Sequence, residues 1–445
     1  MNRRSFLTGA AVAAAAIPFH ALVARAQDPE HRGGVRRGHS AGYGPLFPTR
    51  DETTGLSLIA LPEGFRYLTF GWRGDALDSG RTTPGAHDGM AAFALGRGRV
   101  CLVRNHEVGR GTPFSGIAYD AQGGGGTINL EFDSDRGAFL GARESLSGTL
   151  RNCAGGPTPW GTWLTCEETT DYTTVPHGYV FEVPLDGSAD ALPLRDMGRF
   201  SHEAVAVDPV SGFIYETEDA GGSSGFYRFE PNVPGNLTAG GALSMLKVQG
   251  AALVNLGASY TAGTTFGVEW VPIATPDSLS PTAPGNFAWA QGRAQCAATF
   301  SRLEGCWYGN DAKVYIVSTS GGIGQGQIWE YDPRAETISL LFESPGAHVL
   351  NAPDNITVSP RGGLVLCEDG SGEEFLHGLT TDGEIFPFAK NMVRLNGEPN
   401  GIVGDFSGSE WAGACYSPDG RWLFANIQSP GVTLAITGPW SAGGL

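Results

Sequence analysis

The sequence predicts an all-β fold, one large β-propeller domain. Glycine is abundant (67 of 445 residues), proline is frequent (28), and no long amphipathic helical stretch stands out. A strand–turn–strand segment also recurs along the chain, mostly at the spacing expected of one blade with its loops.

Residues 1–26 read as an export leader. Asn2-Arg3-Arg4-Ser5-Phe6-Leu7 is a twin-arginine pattern, an Ala-rich apolar run follows, and Ala24-Arg25-Ala26 offers a small-x-small cleavage site. The apolar run is too short for a membrane anchor. Such a leader directs the chain through the twin-arginine export machinery to the periplasm or the cell exterior. Substrates of that route generally cross already folded, often with a cofactor loaded. Residues 27–50 form an N-terminal segment, polar and Gly/Arg-rich to about Tyr43 and expected to be flexible. Residues 51–445 are the propeller.

The recurring segment has a turn with Pro or Gly, then three to five apolar residues, then an acidic or amide residue. Its copies are 93–107, 158–168, 207–219, 309–319, 358–369 and 416–426, and the longer interval before the fourth requires an insertion. In a blade, the polar residues after the apolar run fall at one end of the ring. Glu107, Glu168, Glu218 and Glu368 are therefore expected to converge, although they are distant in sequence. A β-sandwich with Pro-Asp-Gly hairpins is the alternative architecture.

The net charge is -17. Loss of Arg3, Arg4 and Arg25 with the leader takes it to about -20, which disfavours nucleic acid as a partner. Acidity of this kind serves solubility, cation binding or both. The seven cysteines are an odd number in a chain bound for an oxidising compartment, so at least one is free, a metal ligand or intermolecularly paired. Cys101, Cys166, Cys296, Cys306, Cys367 and Cys415 are candidates for disulfides or for buried thiols. Cys153 is different: it precedes Ala154-Gly155-Gly156-Pro157 and is expected on a loop. From there the chain runs into a short strand ending on Glu167-Glu168. A thiolate is a soft ligand and carboxylates are hard ones, so this stretch suggests a mixed-metal site.

Arg302 and Glu304 share one face of an extended segment. Such a pair is a plain salt bridge or, beside a metal, a fork for phosphate oxygens. Asp354-Asn355 and Glu368-Asp369 offer the hard oxygens that calcium takes in groups. Asn105-His106-Glu107 and Ser201-His202-Glu203 are weaker polar triplets. There is no G-x-S-x-G nucleophile elbow, Walker loop or dinucleotide fingerprint.

In order and joint presence these motifs resemble the PhoX-type alkaline phosphatases, over about Gly64 to Trp440. The carriers are the twin-arginine leader, Arg104-Asn105-His106-Glu107, the segment from Cys153 to Glu168, Phe200-Ser201-His202-Glu203-Ala204, Tyr215-Glu216-Thr217-Glu218-Asp219, Arg302-Leu303-Glu304-Gly305, Pro353-Asp354-Asn355, and the run from Ser417 to Gln428. The resemblance implies a six-bladed β-propeller with loop insertions, holding Fe(III) and Ca2+ at the mouth of its channel. By motif, Cys153 would be the iron thiolate and Glu203 and Glu304 iron or bridging carboxylates. Glu168, Glu107, Asn105, Glu218, Asp354 and Glu368 would complete the metal set. Arg302 and Glu304 would be the catalytic pair, with Arg302 gripping phosphate, and no second phosphate-binding arginine is assigned. The implied protein is an exported monomeric alkaline phosphatase acting on phosphate monoesters. The rivals are a calcium-dependent propeller hydrolase of lactones or phosphodiesters, and a non-catalytic propeller stapled by calcium.

Overall fold

The structure, a computed structural model, describes residues 41–278 and 287–445. The leader and the N-terminal segment up to residue 40 lie outside the described residues. The fold is all-β, with one eight-residue α-helix, Phe287–Ala294, and four short 3-10 turns among the described residues. None of the described helices is long and apolar enough to cross a membrane.

The sheets form in chain order from antiparallel neighbours. His87–Gly96, Arg99–His106, Gly125–Asp133 and Ala138–Thr149 make the first, and Asn152–Pro157, Thr162–Glu167 and Val180–Pro184 the second. The third is nine-stranded. Its first four strands run outward from His202–Val207 to Gly241–Val248, and another four run outward from Leu303–Tyr308 to Thr337–Glu343. Thr265–Pro272 pairs with both outer edges and joins the two runs, so the insertion expected before the fourth repeat supplies this bridging strand. The next sheet starts at Pro353–Val358 and ends on two N-terminal strands, Ile59–Pro62 and Leu46–Thr49. The last begins with Trp411–Tyr416, and Arg66–Phe70 pairs with its C-terminal strand Val432–Thr437. Both ends of the chain are thus stitched into the sheets. Pairing begins at Leu46, ahead of the domain boundary expected at residue 51.

The sequence repeats coincide with the hairpins that join each first strand to its second. Asp208-Pro209-Val210-Ser211-Gly212 and Ser417-Pro418-Asp419-Gly420 show why they turn. Proline presets the turn, the Asp or Ser side chain caps it, and Gly212 (φ 75°) and Gly420 (φ 69°) take the left-handed position.

The first strands touch in a closed cycle: His87–Gly96 lies against Asn152–Pro157, then His202–Val207, Leu303–Tyr308, Pro353–Val358, Trp411–Tyr416, and back to the start. Apolar clusters fill the spaces between sheets, with Trp163, Trp329 and Trp411 fully buried. At ~25 cal/mol per Å2, burying such a ring is worth about 4–6 kcal/mol.

Near its start every first strand slips out of ladder register. The slips fall between His87 and Met90, Asn152 and Gly155, His202 and Val205, Leu303 and Cys306, Pro353 and Ile356, and Ala412 and Cys415. A bulge bends a strand and re-aims its side chains. The residues caught in the slips are Asp88-Gly89, Cys153-Ala154, Glu203-Ala204, Glu304-Gly305, Asp354-Asn355 and Gly413-Ala414. Small residues recur in second place because neighbouring first strands nearly touch. A Cβ on Gly305 would lie 2.8 Å from the Ile356 nitrogen, and one on Gly89 2.5 Å from the Ala154 Cα.

No disulfide forms among the described residues: all seven cysteines are free, and all but Cys296 are buried. Cys153 lies inside the Asn152–Pro157 strand and not on a loop, and the Gly/Pro turn follows at 158–161.

Candidate active site

The bulged residues meet at one end of the cycle. Ligand atoms of Cys153, Glu168 and Glu203 lie within 4.8 Å of one another, as do those of Glu203, Glu304 and Asp354, and those of Asp354, Asp369 and Glu410. Glu203 and Asp354 are shared, so the three groups form one continuous line of donors. Cys153, Glu203, Glu304 and Asp354 are buried, whereas Glu168, Asp369 and Glu410 are half-buried. Asp88 stands at the thiol end, its Oδ2 3.6 Å from the Cys153 Sγ.

Two structural positions supply nearly all of these groups. One is the bulge of the first strand, giving Asp88, Cys153, Glu203, Glu304 and Asp354. The other is the residue just past the second strand, giving Glu107, Glu168, Asp219 and Asp369. Glu410 alone comes from the loop entering the last sheet.

Two arginines face this acid. Arg302 donates to Glu304 Oε1 at 2.5 Å and to both oxygens of Asp219 at 3.2 Å. Arg151 reaches Glu168 Oε2 at 2.6 Å and Glu107 Oε1 at 3.1 Å. Burial works against both charges, but the carboxylates beside them hold each guanidinium firmly protonated.

The electrostatics are those of a cation site. Burial, then the charges of Glu304 and Asp354, push Glu203 well above the usual carboxylate range, and neither of its buried oxygens has a hydrogen-bond partner. Burial, then Asp354 and Asp219, do the same to Glu304. Burial, then Asp88 and Glu203, push the Cys153 thiol well up. Buried carboxylates without donors are costly unless they ligate a cation. The donor set, one thiol amid carboxylates, fits a transition-metal ion near Cys153 and hard cations among the oxygens.

The expected residues divide as follows. Cys153, Glu168, Glu203, Glu304 and Asp354 come together, with Glu107 beside them through Arg151. Glu218 and Glu368 do not join the groups. Each is the last residue of a second strand, so it takes the opposite face from Asp219 or Asp369 beside it. Glu218 accepts from the Tyr227 hydroxyl at 2.6 Å and from the Gly225 N–H at 3.1 Å. Glu368 accepts from the Asn351 and Phe375 N–H groups at 2.8 and 3.0 Å. Asp219 and Asp369, one residue further on, occupy the expected place. Asn105 is used as a clamp: its amide N–H groups donate to the carbonyls of Cys153 and Ala154 at 3.0 and 2.7 Å. Its oxygen accepts from the Trp163 indole and the Thr165 hydroxyl, each at 2.9 Å.

Sequence reasoning missed Asp88, Arg151, Asp219 and Glu410, and offered Asp369 only within the Glu368-Asp369 pair, of which it chose Glu368. A signal for Asp88 exists, since Asp88-Gly89 repeats the acid-then-small pattern of Glu304-Gly305 and Glu203-Ala204. Arg151 stands immediately before its first strand, as Arg302 does.

A family model described as alkaline phosphatase PhoX matches residues 41–143 and 124–431. The chain belongs to the PhoX alkaline phosphatase family. Among solved structures, Pseudomonas fluorescens PhoX in complex with vanadate, a transition state analogue, is 18% identical with a TM-score of 0.65, covering 90% of this chain and 99% of its own. That likeness shows that the PhoX fold is shared. A Xanthomonas campestris gluconolactonase is 15% identical (TM-score 0.45; 89% and 98% covered), and a calcium-binding regucalcin of Agrobacterium tumefaciens 11% (0.37; 83% and 96%). No curated protein matches the chain.

Proposed function

We propose that this PhoX-family chain is an exported phosphomonoesterase whose centre holds Fe(III) and Ca2+ at the mouth of a six-bladed β-propeller. The observation that carries the reading is the continuous donor line from Cys153 to Glu410 with two arginines at its edge. The closed cycle of first strands supports the blade count. Cys153, with Glu203 and Glu304, would hold iron; Glu168, Asp354, Asp369 and Glu410, with Glu107 and Asp219 nearby, would hold calcium. When bound, such ions supply Lewis acidity and charge against the phosphate oxygens.

The chain's own residues do the rest. Arg302 is 37% exposed and locked at its inner side by Asp219 and Glu304, so its outer N–H groups face the mouth. A guanidinium held this way grips two phosphate oxygens and stabilises charge on them in the transition state. Arg151, held by Glu168 and Glu107, is the second arginine of the grip. Asp354 and Asn355 are held by two hydrogen bonds, Asn355 donating to Asp354 Oδ1 at 2.7 Å and accepting from the Gly413 N–H at 2.6 Å. Twin-arginine export to the periplasm or beyond, and a monomeric state, belong to the same reading.

The test is hydrolysis of p-nitrophenyl phosphate at alkaline pH by exported, mature protein, with and without a chelator. Activity removed by the chelator and restored by calcium is expected. A folded protein loaded with iron and calcium that cleaves no phosphate monoester would end the reading and favour the lactone, diester or binding alternatives.

A further inference from the structure

A second polar system, fully buried, lies beneath the thiol end of the donor line. Arg104 is 0% exposed, and among the described residues no carboxylate lies within ion-pair distance of it, the charge of Asp75 acting only from farther off. Burial lowers its pKa to about 9. An unpaired guanidinium in the interior is expensive, so its presence asks for a reason.

Its donors show one. Arg104 Nη1 donates to the Gly71 carbonyl at 3.0 Å and to Thr433 Oγ1 at 2.7 Å. Thr433 Oγ1 in turn donates to Asn426 Oδ1 at 2.6 Å, and Asn426 Nδ2 donates to the Asp88 carbonyl at 2.6 Å. On its other side, Arg104 Nη2 lies 3.4 Å from His106 Nε2. His106 Nδ1 lies 2.9 Å from the Gly85 carbonyl, to which only an Nδ1–H can donate, so Nε2 is the acceptor for Arg104. His106 directly precedes Glu107. Asn426, Thr433 and His106 are all 0% exposed.

The sheet that supplies Asn426 and Thr433 is the one built from both ends of the chain. Its first strand carries Gly413 at the bulge position where its neighbours carry an acid or a thiol. Gly413 has φ 60°, and a Cβ there would collide with the Asp88 carbonyl, so the last sheet meets the first backbone to backbone at this point. The sheet brings no bulge ligand of its own but holds the ligands on either side: Asp88 through Asn426, and Asp354 through Gly413 and Asn355.

We propose that Arg104, Thr433 and Asn426 are positioning residues, a buried relay that couples closure of the ring to the placement of Asp88 and Glu107 at the thiol end of the metal centre. The proposal rests on the metal-centre reading above. Without the relay the Asp88 main chain is free to shift, and the thiol end loses its fixed geometry while the sheets remain intact.

Thr433 allows a clean test. Thr433→Val keeps the shape and removes the hydroxyl, whereas Thr433→Ser keeps the hydroxyl and removes a methyl group. The full-length exported protein is compared in three measurements: Tm after metal stripping, the rise in Tm on titrating calcium, and kcat and KM for p-nitrophenyl phosphate. Thr433→Val is expected to raise the calcium concentration for half-maximal stabilisation by about tenfold and to lower kcat with little change in KM. Thr433→Ser stays close to wild type. Equal responses in all three proteins, or a weaker response from Thr433→Ser than from Thr433→Val, would overturn the relay, the latter because packing would then be the cause. Should Thr433→Val fail to fold, Thr433→Cys, of similar shape and a much weaker donor, replaces it. The calcium-induced rise in Tm needs no substrate, so an inactive wild type would defeat the proposed reaction without touching this comparison.

Discussion

Arg151 and Arg302 occupy the same place in two different sheets. Each is the residue immediately before a first strand, each has φ 48°, and each turns back to a carboxylate that follows a second strand. A left-handed conformation costs a non-glycine residue about 1–3 kcal/mol, and here it aims both guanidinium groups at the donor line. Arg302→Ala is expected to lower kcat/KM by about 10^2–10^3 and to weaken inhibition by inorganic phosphate, and Arg151→Ala to act in the same direction. Arg302→Lys recovers only part, because an ammonium group cannot make the two-pronged contact. Steady-state kinetics with phosphate as inhibitor decides it; unchanged constants would remove the arginines from the reaction.

Cys153→Ser tests the thiol. Serine keeps the size and loses the soft ligand. Iron content measured on the purified variant should fall while calcium still raises its Tm, and activity should drop about a hundredfold or more. Retained activity would favour the calcium-only hydrolase.

The pH response follows from the raised carboxylates. Burial raises Glu168 from its ordinary 4.5 to about 7, against Arg151 and with the push of Glu107. Between those values the folded state binds more protons than the unfolded state, so the metal-stripped protein loses stability as pH rises through the window. Metal ligation needs the ionised carboxylate, so calcium affinity rises over the same interval. Stripped protein should therefore melt lower at about pH 8 than at about pH 5.5, and the gap between stripped and calcium-loaded protein should widen. A gap that narrows with rising pH would contradict the assignment.

Neighbouring acids at the strand ends give a paired control. Asp369→Asn should weaken calcium binding by about tenfold or more, whereas Glu368→Gln should leave it alone and instead lower Tm by loosening the Asn351 and Phe375 N–H contacts. Asp219→Asn and Glu218→Gln should divide in the same way. Calcium titration followed by calorimetry separates the two effects; weaker binding from the Glu variants would restore them as ligands.

The hairpins, the strand after each, and the convergence of residues at its end were legible because turn chemistry and apolar runs are local. Glu218 and Glu368 stand a single residue of strand register from Asp219 and Asp369, and in a strand one residue reverses the face. Cys153 read as a loop residue because Gly155, Gly156 and Pro157 weaken a strand by propensity. Those glycines are instead demanded by packing, since a Cβ on Gly156 would strike the Val205 carbonyl of the next first strand. Glu410 carries no local mark that separates it from ordinary surface acids, and Asp88 carries only the small residue that follows it.

The sequence by itself determined the all-β class and the place of the hairpins, since each depends on residues adjacent in the chain, and its motifs pointed to Cys153, Glu168, Glu203, Glu304 and Asp354 as candidates through a family resemblance. Only the tertiary structure decided which face each acid takes and that Arg151 stands with Arg302. Only it revealed that a sheet made from both chain ends holds Asp88 in place. Those facts depend on bulges and on contacts between strands hundreds of residues apart, which appear once the ring closes.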